Sequence, residues 1–242
     1  MAFFSKRKRV RGAKIPFCSV VIAAAGASKR MGGEDKLFFE INGAPVLAHT
    51  LSKFQDCGYI EEIIVVTRED CFERVGDICK QFDKASKIIV GGQSRLASVI
   101  NGVYEVSKKA KLIAIHDGAR PCIDIGIIER TIEAAARHNA AAPAVPVSST
   151  LKRVKRNIVM DTVDRDDLYE IQTPQVFNAD LIKAALTNAN RKSIDVTDDC
   201  KAVEMIGATV HITEGSRRNI KLTTKEDIVL AEATLNAQGV ES

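Results

Sequence analysis

An α/β fold is predicted for this chain of 242 residues: a mostly parallel sheet flanked by helices, with a protruding β-hairpin arm. Apolar runs at 17–25, 62–67, 87–90, 111–115 and 140–147 alternate with amphipathic segments, as strands do when helices cover a parallel sheet. In SRLASVINGVYEVSKK, Leu96, Val99, Ile100 and Val103 recur at helical spacing behind Ser94, a candidate N-cap. Between 148 and 177 the helical period disappears, and Lys155-Arg156-Asn157 interrupt two β-favouring runs, which predicts the arm.

Taken in order, a basic arm at 1–14 precedes the strand at 17–25, and SKRKRVRGAK alone contributes six of the cations behind a formal net charge of +4. What remains is nearly balanced, and short basic termini are ordinarily solvated and flexible, so no nucleic-acid partner is expected. Residues 15–242 read as one domain, since 45% apolar residues supply a sizeable core. Further helices are expected to begin near Asp124, Asn178 and Thr223, the last with Glu226 at capping-box spacing. No stretch nears the roughly 20 apolar residues of a membrane span, and nothing has the pattern of a secretory signal. Cys18, Cys57, Cys71, Cys79, Cys122 and Cys200 form no C-x-x-C pair, which suits reduced thiols in a cytoplasmic protein. The four histidines lack metal-ligand spacing. An isolated two-stranded arm is marginally stable in water, so the arm at about 148–177 predicts a homodimer.

Chemistry is expected in the loops at the carboxyl ends of the strands, where open α/β sheets bind ligands. The strand at 17–25 runs into AAAGAS, where Ala24, Ala25 and Gly26 let backbone N–H groups approach an anion unobstructed. Neither G-x-x-x-x-G-K-[ST] nor G-x-G-x-x-G is present. Lys29, Arg30 and Lys36 follow as cations for such an anion, or as solvated loop residues. GGQSRLASV places Gly91 and Gly92 ahead of a helix amino terminus, a favourable place for a nucleotide. HDGARP sets Asp117 beside Arg120; Asp117 can act on a ligand or cap the turn into Pro121. Thr150, Arg165, Thr197 in DVTDD and Lys221 in NIKLTTKED complete the polar set, Thr197 also being a candidate helix N-cap.

In register and in order, AAAGASKRM, GGQSRLASV, HDGARP, TLKRV, TVDRDDLYEIQTPQVF, DVTDD and NIKLTTKED resemble the 2-C-methyl-D-erythritol 4-phosphate cytidylyltransferase family over nearly the whole chain after the basic arm. The resemblance implies a Rossmann-like nucleotidyltransferase fold that dimerises through the β-arm. It implies attack of a methylerythritol phosphate oxygen on the α-phosphorus of CTP, with release of pyrophosphate. Arg30 and Lys36 match the pair that stabilises the transition state, and Arg165 and Lys221 match the pair that grips and aims the attacking phosphate. Thr150, Arg120, Asp117 and Thr197 match the polyol pocket, while Gly92 and Ser98 match the positions that meet cytosine. A Mg²⁺ ion held mainly by CTP phosphates is implied, with Asp117 the only protein ligand to nominate. The chain departs from the family pattern at Asp35, where proline is frequent, and at Gln93 and Arg218, where acidic residues occur. Ribitol-5-phosphate cytidylyltransferases share much of this pattern, although the full TVDRDDL…TPQVF arm favours methylerythritol phosphate. The alternative from another class is a non-catalytic nucleic-acid or nucleotide-binding module, whose basic arm here lacks the aromatics of a base-stacking surface.

Overall fold

The structure is a computed structural model describing residues 15–26, 35–194 and 196–240. The basic arm and Arg30 therefore lie outside the described residues.

Strand β1 (Cys18–Ala24) is the centre of the fold because almost every residue in it is apolar and buried, as a strand covered on both faces requires. After it come the short pair β2 (Glu40–Ile41) and β3 (Ala44–Pro45), then α1 (Val46–Asp56), β4 (Ile60–Thr67), α2 (Phe72–Cys79) and β5 (Ala85–Val90). The chain continues through α3 (Arg95–Glu105), β6 (Leu112–Asp117), α4 (Ile125–His138) and β7 (Ala140–Pro146). Beyond these lie β8 (Leu151–Lys155), β9 (Ile158–Val163), β10 (Tyr169–Ile171), β11 (Gln175–Asn178), α5 (Ala179–Arg191), α6 (Asp199–Glu204), β12 (His211–Glu214) and α7 (Lys225–Val240).

The main sheet has eight strands in the order β10-β7-β11-β6-β1-β4-β5, with β12 beside β7. The half that carries the site is parallel: β1 pairs with β4 and with β6, and β4 pairs with β5. Alternation along the strands divides the core in two. Val20, Ile22, Ile63 and Val65 face the layer that includes α1, α2 and α4, while Val21, Ile64, Val66 and Ile113 face α3 and α5. Gly102 lets α3 lie close to the sheet, since a Cβ there would stand 2.5 Å from Val21 Cγ1 and 2.6 Å from Val66 Cγ2. That approach sets where the amino terminus of α3 opens.

The expected arm is shorter than 148–177. Within that span only β8 and β9 form a separate two-stranded sheet, joined at Arg156 (φ 50°) and Asn157 (φ 63°), the geometry of a type I′ hairpin turn. β10 and β11 return to the main sheet, pairing with β7 and β6. The N-cap of α6 is Asp198 rather than Thr197: Asp198 Oδ1 accepts from Lys201 N at 3.0 Å. At the last helix the capping box is shifted by one residue, because Asp227, not Glu226, reaches back to the backbone N–H groups of Thr223 and Thr224. All six cysteines are buried and outside disulfides.

Candidate active site

The parallel strands deliver their carboxyl ends to one edge of the sheet, and a cavity of about 360 Å³ opens there. Ala24, Ala25 and Gly26 form its floor beyond β1, and Gly92, Gln93, Ser94 and Arg95 bring the amino terminus of α3 to its wall. Lys36, Asp117 and Lys221 supply the remaining charged side chains.

The wall at α3 is built without room for larger residues. A Cβ on Gly92 would stand 2.5 Å from Ala97 Cβ, so only glycine lets this loop fold down onto the helix. The Ser98 hydroxyl fastens it, accepting from Gly92 N at 3.1 Å and donating to Ser94 O at 2.9 Å. Ser94 caps α3 as expected, accepting from Ala97 N at 3.0 Å. The amino terminus of α3, the positive end of its dipole, thus borders the cavity, which suits an anion.

Opposite, Lys36 Nζ donates to Leu222 O at 2.8 Å and borders the cavity. Asp117 Oδ2 takes two cations at once, Lys221 Nζ at 3.0 Å and Arg120 Nε at 3.2 Å. Burial alone would raise the Asp117 carboxyl, but Lys221, Arg120 and Arg95 together hold it well below the usual carboxylate range. Behind it His116 is fully buried, and burial brings its imidazole down to about 3, so it is neutral. The Thr173 hydroxyl accepts from Asp117 N at 3.2 Å and lies 3.0 Å from His116 Nδ1, while His116 Nε2 lies 3.4 Å from Arg120 O. The Arg120 carbonyl can only accept, so this contact places the imidazole proton on Nε2 and leaves Nδ1 to accept from the Thr173 hydroxyl. Arg120 Nη1 donates to Asn219 O at 2.6 Å, tying the Lys221 segment to the end of β6.

Lys221 and Arg120 also line an adjoining cavity of about 290 Å³, together with Arg217, Gln172 and Asp227. One lysine therefore borders two neighbouring compartments.

Of the residues singled out in the sequence, Ala24, Ala25, Gly26, Lys36, Gly92, Ser98, Asp117 and Lys221 meet around the first cavity, and Arg120 touches Asp117. Thr150, Arg165 and Thr197 are exposed and do not line it. Thr150 and Arg165 flank the β8–β9 hairpin, and the Arg165 guanidinium donates to Ser148 O at the foot of that arm. Arg95 escaped notice although it stands inside GGQSRLASV. It projects from the first turn of α3 and forms two hydrogen bonds, 3.0 and 2.7 Å, to Asp199, whose side chain has no exposure. Nothing local signals that pair, because the partners are 104 residues apart.

The family model for 2-C-methyl-D-erythritol 4-phosphate cytidylyltransferase (IspD) matches residues 18–237. The chain is 42% identical over 220 residues to the 2-C-methyl-D-erythritol 4-phosphate cytidylyltransferase of Halalkalibacterium halodurans, covering 90% of this chain and 96% of the relative. It is 44% identical over 223 residues to that of Caldanaerobacter subterraneus subsp. tengcongensis, covering 90% and 98%. The crystal structure of 4-diphosphocytidyl-2C-methyl-D-erythritol synthase from Anaerococcus prevotii superposes with a TM-score of 0.82 at 32% identity, over 91% of this chain and 96% of that one. Extending from β1 into the last helix, the agreement takes in every strand that builds the cavity, and the chain belongs to the 2-C-methyl-D-erythritol 4-phosphate cytidylyltransferase family.

Proposed function

We propose that this enzyme transfers CMP from CTP to 2-C-methyl-D-erythritol 4-phosphate, giving 4-diphosphocytidyl-2-C-methyl-D-erythritol and pyrophosphate. The observation that carries this reading is Lys221 on the rim of two adjoining compartments. A two-substrate transfer needs a cation where both phosphates meet. The larger compartment, with its glycine wall and helix amino terminus, suits the nucleotide, and the smaller one, with Arg120 and Arg217, suits the polyol phosphate.

The attacking phosphate and the α-phosphate are both anionic, so catalysis consists mainly of positioning and charge neutralisation. Lys36 stands at the nucleotide cavity for the α-phosphate, and Lys221, steered by Asp117, aims the attacking oxygen. Arg30 joins Lys36 in this role by family resemblance. By family resemblance Thr150, Arg165 and Thr197, none of which lines either cavity, complete the polyol site, with Arg165 reaching it across a dimer. The hairpin points outward with Val154, Ile158, Val159 and Met160 more than half exposed, which supports a homodimer in which the arm reaches a partner's site.

Among the described residues, Asp117 is the only acidic side chain lining the nucleotide cavity, and no cluster of three or more His, Cys, Asp or Glu able to hold a metal occurs. The donor set therefore fits a Mg²⁺ held mainly by triphosphate oxygens, with Asp117 within reach as one ligand. When bound, the ion would offset triphosphate charge. No described helix is long and apolar enough to cross a membrane.

Pyrophosphate release by the purified protein tests this reading, with CTP and either methylerythritol phosphate or ribitol 5-phosphate. Turnover that requires Mg²⁺ and prefers methylerythritol phosphate is expected. A preference for ribitol 5-phosphate, or no release with either, overturns it.

A further inference from the structure

Lys36 owes its position to a single 3-10 turn, Lys36–Phe38, fastened from two sides. On the apolar side Leu37 and Phe38 are buried, and the Arg74 guanidinium lies 4.0 Å over the Phe38 ring. On the polar side Asp35 caps the turn: its Oδ1 accepts from Leu37 N at 3.2 Å and its carbonyl from Phe38 N at 3.0 Å. Asp35 is itself gripped through its other oxygen. Arg68, the residue after β4, donates from Nη1 to Asp35 Oδ2 at 2.7 Å and to the Gly26 carbonyl at 3.4 Å. The opposite edge of the same guanidinium is locked by Asp70, with Nε at 2.9 Å and Nη2 at 3.3 Å, and Nη2 lies 2.8 Å from Cys71 Sγ. β4 is a buried central strand, so Arg68 springs from one of the stiffest parts of the fold.

We propose that Arg68 is a positioning residue for the transfer reaction: acting through Asp35, it fixes the turn that aims Lys36 into the nucleotide cavity. The inference rests on the function proposed above for that cavity. Arg68 is absent from the cavity lining, so it acts through the residues it holds: by the shorter bond through Asp35 on Lys36, and by the longer one on the Gly26 carbonyl. The side chain must hold Asp70 with one edge while presenting a third N–H to Asp35, which a planar five-donor fork does and a lysine ammonium does not. The Arg68–Asp35 pair is also sheltered, at 28% and 12% side-chain exposure, so solvent screens it less than an open surface pair.

Structure and kinetics test it together. In a crystal structure of R68A, Lys36 Nζ is expected to have left the Leu222 carbonyl while β4 keeps its place. The kcat for pyrophosphate release from CTP and methylerythritol phosphate is expected to fall by about ten-fold or more, with a smaller change in KM for CTP, as for a misplaced catalytic group. D35N, which keeps the side chain's size and removes the charge that Arg68 grips, is expected to shift kcat in the same direction, and R68K is expected not to restore it. In a K36A background the R68A change is expected to add less than about two-fold, because the group it acts through is gone. The proposal is overturned if Lys36 stays on Leu222 in R68A, if kcat falls by the same factor with and without Lys36, or if R68A and D35N turn over like the wild type. Should the wild type release no pyrophosphate, the proposed function fails, while the position of Lys36 in R68A still decides the clamp.

Discussion

Lys221 Nζ and Arg120 Nε converge on one oxygen, Asp117 Oδ2, at 3.0 and 3.2 Å, where the two compartments of the site adjoin. The carboxylate orients both cations without cancelling either. Replacing it by the neutral amide in Asp117→Asn is expected to lower kcat by about 10², because the lysine is no longer aimed. The KM for CTP is not expected to rise, since the site becomes more positive. Steady-state kinetics check this, and a rise in KM for CTP with unchanged kcat contradicts it.

His116 sets a pH signature. Its imidazole, brought down to about 3 by burial, stays neutral in the folded chain while an unfolded histidine protonates near 6.5. The unfolded state then binds more protons, so stability is expected to fall as pH drops from about 6.5 toward 3, by up to about 1.4 kcal/mol per pH unit. Asp117 contributes in a separate window: its depressed carboxyl adds stability that is present above about pH 4 and lost as pH falls below. His138 is exposed, so although slight desolvation and the stacked His211 lower its imidazole, solvent screening leaves it only a weak contribution in the same direction. Urea unfolding from pH 7 to 5 should therefore show a shallower slope in His116→Asn than in the wild type, and equal slopes contradict the assignment.

The Arg95–Asp199 pair holds the nucleotide wall to α6. Burial pushes the Asp199 carboxyl up while Arg95 draws it back down. Arg95→Ala strands a carboxylate that has no exposure, which is expected to destabilise the protein by about 3–5 kcal/mol. Asp199→Asn, which leaves the charge on the partly exposed Arg95, is expected to cost less. Denaturant midpoints measure both, and an Arg95→Ala protein as stable as the wild type removes the pair from the account.

The hairpin exposes Ile158 at 65% and Met160 at 60%. If this surface is an interface between copies, Met160→Asp is expected to convert a dimer into a folded monomer and to lower turnover sharply, because Arg165 no longer reaches a partner. Sedimentation with circular dichroism reads mass and folding together, and an unchanged dimer contradicts the prediction.

What the sequence disclosed was what local pattern encodes. β1, β4 and β6 stood out because strands buried on both faces are nearly uninterrupted apolar runs. Ser94, Asp124 and Asn178 were readable as caps because each stands alone before an amphipathic run. Where two capping residues adjoin, tertiary contacts choose between them. Gln175 donates to Asp198 Oδ2 at 2.9 Å and accepts from Asp199 N and Cys200 N at 3.0 Å, which fixes the start of α6 one residue beyond Thr197. β10 and β11 resembled the arm because a strand's composition does not tell whether its partner is its neighbour or, as here, β7 and β6. The pairs Arg68–Asp35 and Arg95–Asp199 lay beyond local pattern altogether, since each joins residues far apart in the chain.

The most direct measurement is a crystal structure of the protein with CTP and Mg²⁺. The α-phosphate is expected between Lys36 and Lys221, with cytosine against the loop at Gly92 that Ser98 fastens. A nucleotide bound outside this cavity, or one whose α-phosphate neither lysine can reach, would contradict the account.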